Sequence, residues 1–198
     1  MSLLIITMQV LSRFNNFILR ICRNLGTLAV ALMVIAILIQ VFFRYILNNA
    51  LPWPDEAARF CMLWMTGLMA PTAFRRGGFV AIDFITQFLP NIINFILTML
   101  LLLTSLIVLI TAVKIGYAEV TGFGGRFTTA SLYIPTSLDF QNWFRIPRSW
   151  MMMSLLIGCA LLILVNIELI GRNVLLRFGK DNLLPKIHDD TSLEISKC

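Results

Sequence analysis

Long stretches without a charged residue dominate the pattern of apolar and polar positions along the chain. They cover residues 24–43, 60–74, 84–113 and 149–167. A helix of nineteen residues is about 28 Å long, close to the thickness of the hydrocarbon core of a bilayer. The pattern therefore predicts an all-α integral membrane protein with four transmembrane helices.

Prolines help to locate the predicted starts of the second and third of these helices. The second uncharged stretch is short, so we expect its helix to begin near Pro54, with three charged side chains in its first turns at the membrane interface: Asp55, Glu56 and Arg59. Pro90 divides the third stretch. This division predicts a short interfacial helix at residues 83–89, which Asp83 can cap, before a spanning helix from about Pro90.

The segment before the first span has the pattern of an amphipathic helix. Its apolar residues recur at helical spacing, and polar residues occupy the other face; the apolar residues are Phe14, Phe17, Ile18, Ile21 and Leu25. This pattern predicts an approach helix that can lie along the membrane surface. The chain then divides into an N-terminal extension (1–11), a single four-span membrane domain (12–180) and a cytoplasmic tail (181–198).

Composition and charge agree with a membrane protein. Hydrophobic residues make up 59% of the chain and charged residues 13%, against roughly 25% charged residues in soluble domains. The net charge of +6 comes from basic residues that bracket the apolar stretches, which indicates interface anchors and not a nucleic-acid surface. Placing both termini in the cytoplasm puts ten of the 16 Lys and Arg residues on that side, as the positive-inside rule favours.

Several kinds of chemistry are excluded by the residue types. The single histidine, His188, lies outside the apolar stretches, so a haem or a His-ligated metal in the membrane has no ligand set. The four cysteines show no CxxC spacing, which predicts free thiols. No nucleophile, base and orienting group occur in a plausible constellation, so we expect neither an enzyme nor a cofactor.

Residues 51–84 carry the densest set of polar and aromatic side chains. Helix-start chemistry explains many of them, because Pro54 suits a first helical turn and the acids Asp55 and Glu56 complement the positive end of a helix. A second interpretation is docking, since two acids and Arg59 within one turn beside Trp53 are more than a helix start needs. In that case they contact a partner subunit or a lipid headgroup.

The same segment resembles the small membrane subunit, of the DctQ type, of tripartite ATP-independent periplasmic (TRAP) transporters. The shared order is an aromatic residue, an acidic pair and an arginine at the second span, a tryptophan-containing helix, an Arg/Gly turn and an aspartate before the third span. Here these elements are Trp53, Asp55, Glu56, Arg59, Trp64, Arg75, Arg76, Gly77, Gly78 and Asp83. Phe79 stands where many relatives have a histidine, so no role of that ring is transferred.

The resemblance implies a non-enzymatic subunit of a secondary transporter in the bacterial inner membrane. Its partners would be a large membrane subunit of the DctM type, which couples to sodium and moves as an elevator, and a periplasmic binding protein that delivers solutes such as organic acids. The small subunit would be a fixed scaffold. Its contacts with the large subunit or with lipid are then expected at Trp53, Asp55, Glu56, Arg59, Trp64, Arg75, Arg76 and Asp83.

Two further expectations concern the polar residues elsewhere. The aromatic-rich connection at residues 114–148 either packs onto the helices and the headgroup layer or forms part of the surface for the periplasmic binding protein, with contributions from Arg126, Arg145 and Arg148. Within the spans, Gly67 and Gly158 allow helices to approach closely. The rival function is a small self-sufficient oligomeric transporter or channel, although the third and fourth stretches lack the ionisable groups that ion pathways use.

Overall fold

The computed structural model describes residues 2–49, 51–76, 91–135 and 143–177. In chain order these residues form α1 (Ser2–Tyr45), α2 (Trp53–Arg75), α3 (Asn91–Thr121), α4 (Phe123–Arg126), β1 (Thr128–Pro135), β2 (Trp143–Pro147) and α5 (Ser149–Arg177). The described chain is mostly helical, as predicted. Within it, the helices α1, α3 and α5 are long and apolar enough to cross a membrane.

Helix α1 joins the predicted approach segment and the first span in one uninterrupted helix of 44 residues, about 66 Å long. A single Gly26 does not interrupt it, because one glycine costs a helix only about 1 kcal/mol. One side of the approach segment, with polar and apolar residues mixed, lies against the protein: Ser12, Asn15 and Leu19 are buried, whereas Phe14 is exposed. The predicted surface-lying approach helix is therefore not a separate element in this structure.

The other helix boundaries follow the prolines. Helix α2 begins at Trp53 with Pro54 in its first turn, and Asp55 and Glu56 follow. Helix α3 begins directly after Pro90 and continues past Lys114 to Thr121. The predicted interfacial helix at residues 83–89 lies outside the described residues.

The connection between α3 and α5 departs from an all-α fold. Its strands β1 and β2 form an antiparallel pair, with Tyr133 opposite Arg145 and Thr128 opposite Pro147. The base of this hairpin is closed by the hydroxyl of Thr129, which donates to the carbonyl of Ile146 at 2.8 Å. The all-α expectation is thus corrected for this hairpin, which alternating apolar and polar residues such as TTASLYIP permit.

The four long helices pack mainly in the order α1, α2, α5, α3, with a smaller direct contact between α1 and α5, and we call this arrangement the layer. Helix α2 packs between α1 and α5, and α5 packs between α2 and α3. Apolar side chains remain exposed along both edge helices, for example Leu38 on α1 and Ile107 on α3. A layer of this kind leaves broad apolar surfaces for lipid or for another membrane subunit.

Two contacts hold the middle of the layer. Helices α2 and α5 cross at Gly67 and Gly158, where a Cβ atom on Gly67 would lie 2.5 Å from the carbonyl oxygen of Ser154. The predicted close approach at these two glycines is confirmed. Helix α5 is joined to α3 by the buried Asn166, whose amide donates to the hydroxyl of Ser105 at 2.6 Å.

Candidate functional site

A buried carboxylate, Glu168, lies where the three helices α1, α2 and α5 meet. Its side chain is 1% exposed, and its Oε1 atom accepts from Nη2 of Arg75 at 2.6 Å and from Nε of Arg172 at 3.0 Å. The other oxygen, Oε2, accepts from the side-chain amide of Asn15 at 2.7 Å. A single carboxylate therefore binds side chains from all three helices.

Helix α1 supplies further acceptors for the terminal nitrogens of the two guanidinium groups, whereas the buried Nε of Arg75 has no hydrogen-bond partner among the described residues. The hydroxyl oxygen of Ser12 lies 2.8 Å from Nη2 of Arg172 and 3.2 Å from Nη2 of Arg75. Nη1 of Arg75 donates to the side-chain oxygen of Asn16. Buried charges are stable only when such partners satisfy them. We call the set of Ser12, Asn15, Asn16, Arg75, Glu168 and Arg172 the ion cluster, and its side of the layer the cluster end.

Sequence reasoning found only part of the ion cluster. Arg75 was expected at a basic turn, but α2 continues to this residue and directs its side chain toward α5, where it is buried. Glu168 was not among the candidate residues. The available signal was an acid with Arg172 four positions later, directly after an uncharged stretch, because such a pair lies on one helix face. Arg76 follows the last residue of α2 as its C-terminal cap and is exposed.

At the opposite end of the layer, Glu56 joins α2 to the hairpin. Its Oε2 atom accepts from the backbone N–H of Ser131 at 2.5 Å and lies 2.6 Å from the Ser131 hydroxyl. That hydroxyl is also 3.0 Å from the carbonyl oxygen of Pro52. The carboxylate thus satisfies a backbone N–H of strand β1 that could otherwise pair with another strand. We call this side of the layer the hairpin end.

Asp55 and Arg59, the charged neighbours of Glu56 on α2, lie in surroundings that differ from those of Glu56. Asp55 is exposed, and a carboxylate oxygen accepts from the side-chain amide of Gln40 on α1 at 3.4 Å. Asp55 and Arg59 lie four positions apart on α2, but these two described residues form no ion pair with each other. Instead, the exposed Arg59 borders a cavity between α2, α3, α5 and β1.

This cavity has charged and apolar walls and a volume of about 740 Å³. Its charged members are Glu56 and Arg59 from α2, Glu119 from α3 and Arg148 from the turn before α5. Its other lining residues are Leu63, Gly116, Thr128, Thr129, Met151, Met152, Ser154 and Leu155. We call it the charged cavity. Two carboxylates and two guanidinium groups give it no net charge.

The remaining candidate residues occupy separate positions. Trp53 lines a second cavity of about 730 Å³ together with Pro52 and three residues of β1. The ring of Trp64 lies 6.2 Å from that of Phe60 on the same helix. Asp83 lies outside the described residues. Among the three arginines of the connection, Arg126 and Arg148 are exposed, and the guanidinium carbon of Arg145 lies 5.0 Å from the ring centre of Tyr133.

Metal and thiol chemistry receives no support from the described residues. Within the ranges 2–49, 51–76, 91–135 and 143–177, no group of three His, Cys, Asp or Glu side chains is placed to hold a metal ion. The cysteines at positions 22, 61 and 159 are free thiols, as their spacing predicted.

Apolar helices of membrane-crossing length, with polar residues collected at their two ends, define a multi-pass helical membrane protein. Within this class, the chain matches the family described as tripartite ATP-independent periplasmic transporters, DctQ component, over residues 33–175. The chain belongs to this family, whose members are small permease components of TRAP transporters. No curated protein matches the chain.

Membership in this family indicates which other proteins the chain works with. It is a component of a transport system and belongs to a family that is not an enzyme family. Such components work together with a larger membrane subunit and a substrate-binding protein. The ion cluster and the charged cavity must therefore be interpreted as parts of a protein that acts within a complex.

Proposed function

We propose that this chain is a fixed membrane scaffold for the larger, sodium-coupled elevator subunit of a TRAP transporter. In this role it supports solute uptake together with a periplasmic binding protein. The observation that carries the proposal is the packing order α1, α2, α5, α3, which leaves broad apolar surfaces exposed along both edge helices. A scaffold needs a broad lateral surface and no passage of its own.

The contacts between the helices support a rigid body. The ion cluster joins α1, α2 and α5 at one end, and Glu56 joins α2 to the hairpin at the other. Between these ends, the Gly67 and Gly158 crossing brings two backbones into direct contact. Discrete contacts at three levels along the helices restrict sliding and tilting, which a fixed element beside a moving domain requires.

We further propose that α2 is a fourth spanning helix. Asp55 and Arg75 are separated by twenty residues of this helix, or about 30 Å, the thickness of the hydrocarbon core. Both charges have partners on α1, which is itself a membrane-crossing helix: Gln40 at the hairpin end and Asn16 at the cluster end. An even number of spans places both termini on the same side of a bacterial inner membrane, and the excess of Lys and Arg there makes that side the cytoplasm, with the hairpin end in the periplasm.

The proposed contacts with partners are distributed over both ends. At the hairpin end, exposed arginines suit the periplasmic binding protein: Arg126, Arg145 and Arg148. Contacts with the larger subunit or with lipid headgroups are proposed for Trp53, Asp55, Glu56, Arg59, Trp64, Arg75, Arg76 and Asp83. Because Arg75 is buried against Glu168, we expect it to act by shaping the surface and not by touching the partner.

Reconstitution of three preparations tests the scaffold against the rival function. Vesicles containing this chain alone, the larger subunit alone, or both together are given the binding protein, the solute and a sodium gradient. The scaffold predicts uptake only when both membrane subunits are present. Uptake by this chain alone would instead show a self-sufficient oligomeric transporter.

The same vesicles measure the proposed contribution of the hairpin end. In the two-subunit preparation, replacing Arg126, Arg145 and Arg148 by glutamine should raise the concentration of binding protein that gives half-maximal uptake, because rim charges mainly set association rates. The maximal rate should change less. If the concentration of binding protein that gives half-maximal uptake is unchanged, these arginines have no role in docking.

A further inference from the structure

The charged cavity has features of a lipid-binding site as well as of a surface for proteins. It lies at the level where α2 and α5 begin and α3 ends, so it faces the boundary between the hydrocarbon core and water if these helices span the membrane. Charged side chains at this level normally point into water or contact headgroups. Here four of them surround one cavity.

Below the charged residues, an apolar groove leads toward the middle of the layer. Helices α2 and α3 both pack extensively on α5 and at most slightly on each other, so the face of α5 between them forms the floor of this groove. Leu63 on α2 and Leu155 on α5 line the cavity and are exposed. Gly116 on α3 also lines it and, having no side chain, leaves the space open. Exposed leucines in a groove of this kind suit an acyl chain.

The charges distinguish among possible headgroups. The guanidinium groups of Arg59 and Arg148 suit a phosphate, since arginine binds phosphate oxygens through paired N–H donors. The carboxylate of Glu119 suits an ammonium group. A phosphate next to a primary ammonium group satisfies both signs, whereas a purely anionic headgroup would leave Glu119 without a partner.

We propose that the charged cavity binds one molecule of phosphatidylethanolamine, with its phosphate at Arg59 and Arg148, its ammonium group near Glu119, and an acyl chain along the groove between α2 and α3. The bound lipid would fill the space between the hairpin and the three helices. This inference depends on the hairpin end lying at the membrane surface and does not depend on the scaffold function.

Lipid analysis of the purified complex tests the site. The chain is purified with its larger membrane subunit, the lipids are exchanged, and defined vesicles of dioleoyl-phosphatidylethanolamine or dioleoyl-phosphatidylglycerol are offered; retained lipid is counted by mass spectrometry. We expect Arg59→Gln combined with Arg148→Gln to retain about fivefold less phosphatidylethanolamine than the unchanged chain, since each exposed charge pair contributes a factor of about 1.4–5. Arg145→Gln is the matched control, because it removes a positive charge from the same end outside the cavity.

A second variant tests the selectivity. Glu119 is exposed, so we expect Glu119→Gln to preserve the fold. This variant should bring the ratio of retained phosphatidylethanolamine to retained phosphatidylglycerol closer to one. Equal retention in the double variant and in Arg145→Gln, or no preference between the two lipids in the unchanged chain, would overturn the proposal. Loss of the larger subunit with unchanged lipid content would also overturn it, because the cavity would then be a protein contact. Uptake is not the readout, so this result is independent of the scaffold test.

Discussion

Glu168 shows how one residue can connect three helices. Its two oxygens receive donors from Asn15, Arg75 and Arg172, and the side chain is almost fully buried. A buried ion network is not intrinsically more stable than apolar packing, but it penalises alternative arrangements, because any shift leaves a buried charge without a partner. In a layer of otherwise interchangeable apolar helices, such a network specifies which faces meet.

Removing the carboxylate should therefore destabilise the chain strongly. Glu168→Ala leaves the buried Arg75 and the partly exposed Arg172 without their anion, and we expect a loss of about 3–5 kcal/mol in the free energy of unfolding. Denaturant titration in detergent micelles measures this loss. The control Glu119→Ala removes an exposed carboxylate and should stay within about 0.5 kcal/mol of the unchanged chain.

A double variant separates charge compensation from simple loss of packing. Glu168→Met combined with Arg75→Met removes both charges of the shortest ion pair in the cluster. We expect the double variant to be less destabilised than the sum of its two single variants, as neighbouring residues of one network are coupled. Additive losses would mean that the ion pair does not organise the cluster.

At the scale of elements, backbone contact between α2 and α5 decides how the layer is assembled. Pro71 has no N–H group, so the carbonyl of Gly67 receives no helical hydrogen bond from it. That carbonyl faces Gly158, where a Cβ atom would lie 2.8 Å away. Proline and two glycines together thus create a site where two helices touch through their main chains.

A single methyl group should separate these helices. In Gly67→Ala the added Cβ would lie 2.5 Å from the carbonyl oxygen of Ser154, so we expect a loss of about 1–3 kcal/mol in unfolding free energy despite alanine's better helix propensity. Gly116→Ala is the control, since its Cβ would meet Leu156 at an ordinary 3.7 Å. Equal thermal stability of the two variants would contradict the tight crossing.

At the scale of the whole molecule, the layer has two chemically different ends. At the cluster end, mostly buried polar side chains join three helices, whereas the hairpin end has two cavities lined in part by exposed charged or aromatic side chains. This asymmetry agrees with a protein that is fixed by internal contacts on one side of the membrane and meets a soluble partner on the other. The orientation of the chain in the membrane therefore tests the proposal that the hairpin end lies in the periplasm.

The number of spans determines where the termini lie. If α2 crosses the membrane, reporter fusions at both termini should be cytoplasmic, because four spans return the chain to its starting side. If only α1, α3 and α5 cross, the two reporters will lie on opposite sides. Paired phosphatase and green-fluorescent-protein fusions at each terminus in intact cells distinguish the two arrangements.

The sequence by itself determined the class of protein, the approximate helix boundaries and the family. These properties depend on local composition and on the positions of prolines and charges, so a single chain shows them directly: α2 begins beside Pro54, α3 follows Pro90, and α5 begins at Ser149. The close approach at Gly67 and Gly158 was also predictable, because small residues in apolar helices favour packing.

Only the tertiary structure decided which polar residues meet. Arg75 and Glu168 are separated by 93 positions, and each has a plausible local role at a helix end, so no pattern in the sequence pairs them. The burial of Ser12 and Asn15 likewise depends on the tertiary structure, since these polar side chains can lie inside only because other helices supply buried charges beside them. Helix formation is governed by neighbours along the chain, whereas sites arise from the order in which helices pack.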